Sequence, residues 1–309
     1  MKITNRYNVP EPLYRAIVED DYQRVGDISM TQVIEAPQMI ELVRRHDDQI
    51  EVDASELIYP FLGKMAHLVV ERAAYNVDNV LSEERLTVDV GGWTLSGKAD
   101  LYEDGGRISD WKLTSVWSFV FGIKREWIAQ TNGYAHLFRA AGFPVRELEI
   151  VALLRDWNKR EAVDHGGEYP QAAFVQRQVP LWTPREAADL VSERVRMHKR
   201  AREDGIWEPC TPEERWARPD SWAVFKGEQK KAAAVFGAGF PRGGGEVDAH
   251  VFAEELRTKA AKKTTARVLH RPGRNIRCEL YCHAAPWCEQ LKHLKEEQAA
   301  REVAADVAA

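Results

Sequence analysis

The sequence predicts an α/β protein: a central β-sheet flanked by helices, with a cysteine-rich segment towards the C-terminal side. Three observations predict it. Roughly the first eighty residues carry apolar side chains at helical spacing, and from about residue 86 short β-rich runs alternate between glycines. All four cysteines, Cys210, Cys278, Cys282 and Cys288, fall in the last third.

Composition bounds the class. The chain has 309 residues, 44% of them hydrophobic and 29% charged, with a net charge of −5. Such a chain buries a sizeable core and is neither disordered nor fibrous. There is no apolar run long enough to cross a membrane, and Met1 is followed by the polar KITNRYNVPEPLYR. Neither a transmembrane helix nor a secretory signal is expected, and the expected location is cytoplasmic. Four cysteines are too few for a disulfide framework at this length, and clustered intracellular cysteines more often bind metal.

The elements follow in order. TQVIEAPQMIELVRRHDD after Thr31 and ASELIYPFLGKMAHLVVERAAYNV are helical. LTVDV, WTLSGKADLY and RISDWKL form a β-meander, separated by Gly91-Gly92 and by Glu103 to Gly106. A long helix is predicted from about Trp117 to Ala141, closed by Gly142. VRELEIVALLRDW reads as a buried strand, and TPREAADLVSERVRMHKRARED as a helix with an acidic start and a basic end. From Ile206 the composition turns Trp- and Pro-rich, and GAGFPRGGGE reads as a loop. No internal repeat is found. The expected division is a core over 1–205, a Trp/Pro/Cys-rich segment over 206–290 packing on it, and a helical or frayed tail over 291–309.

The informative segment is SGKADLYEDGGRISDWKLTS. Asp110 and Lys112, two apart on a strand, share a face, while Trp111 points to the opposite, buried one. A three-residue turn over Asp104 to Gly106 places Asp100 opposite Asp110, whereas a two-residue turn sends the acids to different faces. Facing carboxylates repel, and a divalent cation between them resolves the conflict, with Mg²⁺ or Mn²⁺ the hard ions that oxygen donors favour. Lys112 beside such an ion is placed to hold a water and to balance charge on a phosphate transition state.

Gly97-x-x-Asp100 followed by Asp110-x-Lys112 resembles the PD-(D/E)XK nuclease superfamily. FLGKMAHLVVERA upstream, with Gly63, His67 and Glu71 on one helix, and Gln130-x-x-x-Tyr134 downstream are similar to motifs of its RecB-like exonuclease branch. The match covers residues 60 to 140, about a quarter of the chain. The resemblance implies a restriction-endonuclease-like core with a mixed central β-sheet. It implies metal ligation by His67, Asp100, Asp110 and the Trp111 backbone carbonyl, catalysis by Asp100, Asp110 and Lys112, and a supporting acid at Glu71. Gln130 and Tyr134 would meet DNA, one offering an amide and the other a ring for stacking.

Cys278-x3-Cys282-x5-Cys288 with the distant Cys210 can complete a four-thiolate site. This is similar to RecB-like nucleases that carry a [4Fe-4S] cluster, but their lone cysteine precedes the nuclease motifs and Cys210 follows them. Structural Zn²⁺ is the alternative, and His283 a substitute ligand. Between Arg257 and Arg277 lie eight Lys or Arg residues and no Asp or Glu, a run that suits either a solvated face or a phosphate track. The expectation is therefore a divalent-metal-dependent DNA nuclease, acting as an exonuclease in a bacterial cell or phage-infected host. DNA is its partner, with a single-strand-binding or recombination protein as a further candidate. The alternative is a non-catalytic DNA-binding or recombination partner that keeps the fold.

Overall fold

Two compact units, Met1–Glu208 and Pro209–Ala309, divide the chain in the computed structural model. It describes residues 1–19, 25–74, 77–120, 122–240, 242–258 and 265–308, with side chains through 301. The fold is mixed α/β, with several sheets flanked by helices. No helix among the described residues is long and apolar enough to cross a membrane.

The first unit is organised by a five-stranded mixed sheet. Across it run Phe174–Val179, Glu147–Leu154, Arg107–Thr114, Leu101–Glu103 and Val80–Ser82. Only the pair Arg107–Thr114 and Glu147–Leu154 is parallel; the others are antiparallel. Parallel neighbours need a crossover, and the helix Arg125–Ala140 supplies it. Glu147–Leu154 is nearly all apolar because both its faces are covered: Leu148, Ile150, Val151, Ala152 and Leu154 are buried.

Two readings of this unit need correction. The meander is not one sheet. WTLSGKADLY breaks at Ala99-Asp100, and its first half, Trp93–Lys98, pairs with Arg85–Val90 and Ile28–Ser29 in a separate three-stranded sheet. The helix expected from Trp117 to Ala141 is two, Trp117–Val120 and Arg125–Ala140. Gly122, at φ 96°, takes a conformation that no right-handed helix contains. The helix expected in ASELIYPFLGKMAHLVVERAAYNV is present as Ile58–Ala74, and none of its residues is buried: Leu62, Met65, Leu68 and Val69 are exposed.

The helix Pro184–Glu203 starts as its sequence suggested. Thr183 caps the Glu186 amide while the Glu186 carboxylate returns to the Thr183 amide. Its Val191 and Val195 join the core with Met30, Val33, Leu95, Tyr102, Ile108, Phe138 and Ile150.

The second unit contains more regular structure than its composition suggested. Ala234–Phe236, Ser221–Lys226 and Ala266–Arg271 form an antiparallel sheet in that order. The helix Glu246–Thr258 packs on it, enclosing a small core of Val224, Ala234, Phe236, Ala249, Ala253 and Ala266. Of the basic run, Arg257 lies at the end of a helix, Arg267 and Arg271 on the strand Ala266–Arg271, and Arg274 and Arg277 just after it. Lys259, Lys262 and Lys263 lie outside the described residues. The tail is the helix Glu289–Ala308.

Candidate metal and phosphate site

Asp100 sits where the chain leaves one sheet for the other. The turn after it is the three-residue one, Asp104 to Gly106, with Gly106 at φ 89° and Glu103 paired to Arg107. Leu101 faces Ser109, so continuing the register inward sets Asp100 beside Asp110. The backbone at Asp100 is clamped, because its carbonyl accepts from the Glu83 amide and the Ser82 hydroxyl, each at 3.2 Å. Its Oδ2 accepts from the Trp111 amide at 2.6 Å, and its Oδ1 lies 3.0 Å from His67 Nδ1.

Asp110 is 2% exposed. Its Oδ2 approaches Lys112 Nζ to 2.7 Å but has no aligned hydrogen bond. Lys112 Nζ donates instead to Gln130 Oε1 at 3.1 Å, and Gln130 Nε2 donates to the Tyr134 hydroxyl at 2.9 Å. Five expected residues, Asp100, Asp110, Lys112, Gln130 and His67, therefore converge around the central strand Arg107–Thr114.

The others are placed differently. Tyr134 is 5% exposed, with its ring in the core, so that ring steadies Gln130 and is not free to stack on a base. Trp111 is half-buried and not a core residue; its indole N–H is buried without a partner among the described residues. Glu71 is half-buried and makes no ion pair among the described residues. The second acid beside His67, after Asp100, is Glu83, with Oε1 3.7 Å from His67 Nδ1 and Oε2 paired to Lys98. Nothing in VLSEERL marks Glu83 as different from Glu84. Gly97 is explained by packing: a Cβ there would lie 2.3 Å from Leu137 Cδ1 and 3.3 Å from the Tyr134 ring.

Electrostatics follows from this crowding. Hydrogen bonds to Asp100 and then Glu83 hold His67 protonated, its pKa raised to about 10. Burial raises the Asp110 carboxyl to about 6, against the pull of Lys112 and with a push from Asp100. Burial alone would raise Glu83, but its bonds from His67 and Lys98 outweigh that and hold it low. Burial, with Asp110 and Asp100 nearby, lifts the Tyr134 hydroxyl well above its usual range, so it is neutral. One oxygen each of Glu83 and Asp100 and a nitrogen of His67 lie within 4.8 Å of one another, a group able to hold a cation.

The four cysteines gather within the second unit. Cys278 lies on the short helix Ile276–Leu280, and Cys288 immediately precedes the helix Glu289–Ala308. The Gln290 side chain grips Cys210 twice, accepting from its amide at 2.9 Å and donating to its carbonyl at 2.8 Å. The Arg215 guanidinium donates to the same carbonyl at 3.1 Å. Burial raises the Cys210 thiol to about 12, with Glu214 and the other three cysteines adding to it, and burial and neighbouring thiols raise Cys278 to about 11. No three of their sulfurs fall within 4.8 Å of one another.

No family model matches the chain, and no curated protein does. Among solved structures it is similar to the crystal structure of SSO0001, at 14% identity and a TM-score of 0.43, over 60% of this chain and 85% of that one.

Proposed function

We propose that the protein is a divalent-metal-dependent DNA nuclease that removes nucleotides from DNA ends. The convergence of His67, Asp100, Asp110 and Lys112 carries this reading. DNA as the substrate, and attack at its ends, are what the motif resemblance implies. The donor set suits the cation: a buried carboxylate oxygen of Asp110 lacks an aligned hydrogen bond beside a second acid, a costly arrangement that Mg²⁺ or Mn²⁺ relieves.

When bound, the cation polarises the scissile phosphate and lowers the pKa of its water. His67, Asp100, Asp110 and the Trp111 carbonyl would hold it, and His67 must first give up its proton. The Trp111 amide fixes the angle of Asp100. Lys112, steered by Gln130, orients the attacking water and meets the charge that grows on the phosphate.

The second unit is read as the holder of a [4Fe-4S] cluster on Cys210, Cys278, Cys282 and Cys288. Tetrahedral zinc at its usual Zn–S bond length sets sulfurs about 3.8 Å apart. No three of the four sulfurs lie that close together, and structural Zn²⁺ is the alternative occupant of the four thiols. When bound, such a cluster ties the start of the unit to its last helix.

The test incubates the protein with end-labelled linear DNA and closed circular DNA in Mg²⁺, Mn²⁺ or EDTA. Metal-dependent loss of the linear DNA alone is expected. Cleavage of closed circles makes the enzyme an endonuclease, and binding without cleavage in any metal overturns the catalytic reading.

A further inference from the structure

Glu83 is held in a conformation that its own chemistry disfavours. Its φ is 56°, the left-handed region that a residue with a long side chain rarely enters. Such strain persists only where the surroundings impose it, and three contacts do so here. The Glu83 amide bonds the Asp100 carbonyl, its Oε1 faces His67 Nδ1 at 3.7 Å, and its Oε2 pairs with Lys98. Its side chain is 9% exposed, whereas neighbouring Glu84 is exposed.

Among the described residues, His67, Glu83 and Asp100 are the one set of three His, Cys, Asp or Glu side chains with ligand atoms this close. A second observation points to a missing cation, the buried Asp110 oxygen without an aligned hydrogen bond next to Asp100. Lys98 is a poor permanent partner for Glu83. Its side chain is 39% exposed, so its ammonium can leave for water at small cost.

We propose that Glu83 is a protein ligand of the divalent cation, completing a site with His67 Nδ1 and Asp100 Oδ1, and that Lys98 holds the place of that cation while the site is metal-free. The inference rests on reading this site as a metal site. It assigns a ligand outside the four motifs and gives the backbone strain a purpose: the left-handed turn aims a carboxylate back at the strand break that carries Asp100.

The experiment measures Mn²⁺ affinity by calorimetry for the full-length wild type, Glu83→Gln, Lys98→Met and, as a control, Glu84→Gln. Melting in EDTA is followed in parallel. Glu83→Gln is expected to bind Mn²⁺ at least tenfold more weakly, Lys98→Met several-fold more tightly, and Glu84→Gln like the wild type. Wild-type protein that binds no Mn²⁺ overturns the metal reading of the site itself. Wild type that binds, with Glu83→Gln binding equally well, overturns this inference alone. If Glu83→Gln does not fold, Lys98→Met decides: tighter binding supports the competition, and unchanged affinity makes Glu83–Lys98 a structural ion pair.

Discussion

Replacing Asp110 by Asn should make the metal-free protein more stable while removing its activity. The Asp110 carboxyl is buried and titrates near 6, against 3.8 in an unfolded chain. The sign follows from proton binding. The folded state binds the proton more tightly, so Asp110 costs nothing below the unfolded value, and the chain loses stability as pH rises through the folded one. Above that window the cost is at most about 3 kcal/mol at 1.36 kcal/mol per unit, and relaxation or entering water reduces it. Asn has the same shape without the charge. In EDTA at pH 7.5 the variant should therefore melt higher, by a few degrees and at most about 12 °C, on a scale of about 2–4 °C per kcal/mol for a unit of this size. The gap should close as pH falls to 4. Adding Mn²⁺ should raise the wild-type melting temperature and barely move the variant, because a bound ligand stabilises only the state that holds it. A variant that melts lower than the wild type in EDTA at pH 7.5 would refute the reasoning, since Asp110 would then be holding the fold together.

Lys112→Ala should lower the cleavage rate on the order of 10²–10³-fold or more while Mn²⁺ affinity is kept, because the ammonium serves the transition state more than the ground state. Near-normal turnover in single-turnover assays would remove Lys112 from the mechanism. Gly97→Ala forces a methyl group to within 2.3 Å of Leu137 Cδ1 and should cost about 1–3 kcal/mol in urea unfolding. An unchanged midpoint would show that the strand and helix separate freely there. Cys282→Ser should bleach anaerobically purified protein and expose Pro209–Ala309 to protease while the first unit survives. Colourless wild type with zinc bound would replace iron by zinc at the four thiols, and wild type without either metal would remove the site.

How much of this was legible in the sequence depends on whether the deciding interaction is local. The Asp100–Asp110 register depended on one turn, and a glycine at its third position was already the signature of the longer of two alternatives. The convergence of Lys112 and Gln130 needed only the crossover helix to pack beside the strand, and Gly97 marks where it comes close. Glu83 was not legible, because its role depends on a positive φ, and nothing local distinguishes it from Glu84. Tyr134 was read for its ring, but helical periodicity does not say which of two i, i+4 neighbours is buried deeper. The sheet of the second unit was hidden because Ser221–Lys226 pairs with a strand more than forty residues later, and the arginines of that later strand masked its alternation.

The charges of the site suggest why metal and nucleic acid should bind together. Each of three acids has one internal cation: Glu83 has Lys98, Asp100 has protonated His67, and Asp110 has Lys112. The metal-free site is therefore close to neutral and has no net attraction for a phosphate. On the proposed reading, a divalent ion brings two positive charges, expels one proton from His67 and sends the Lys98 ammonium out to water, so the loaded site stays close to neutral. What changes is which cations the acids hold. Once Asp110 serves the ion, Lys112 is no longer its main partner and can turn to an incoming phosphate. The exchange of internal cations for a metal is thus what frees a positive charge to meet the nucleic acid.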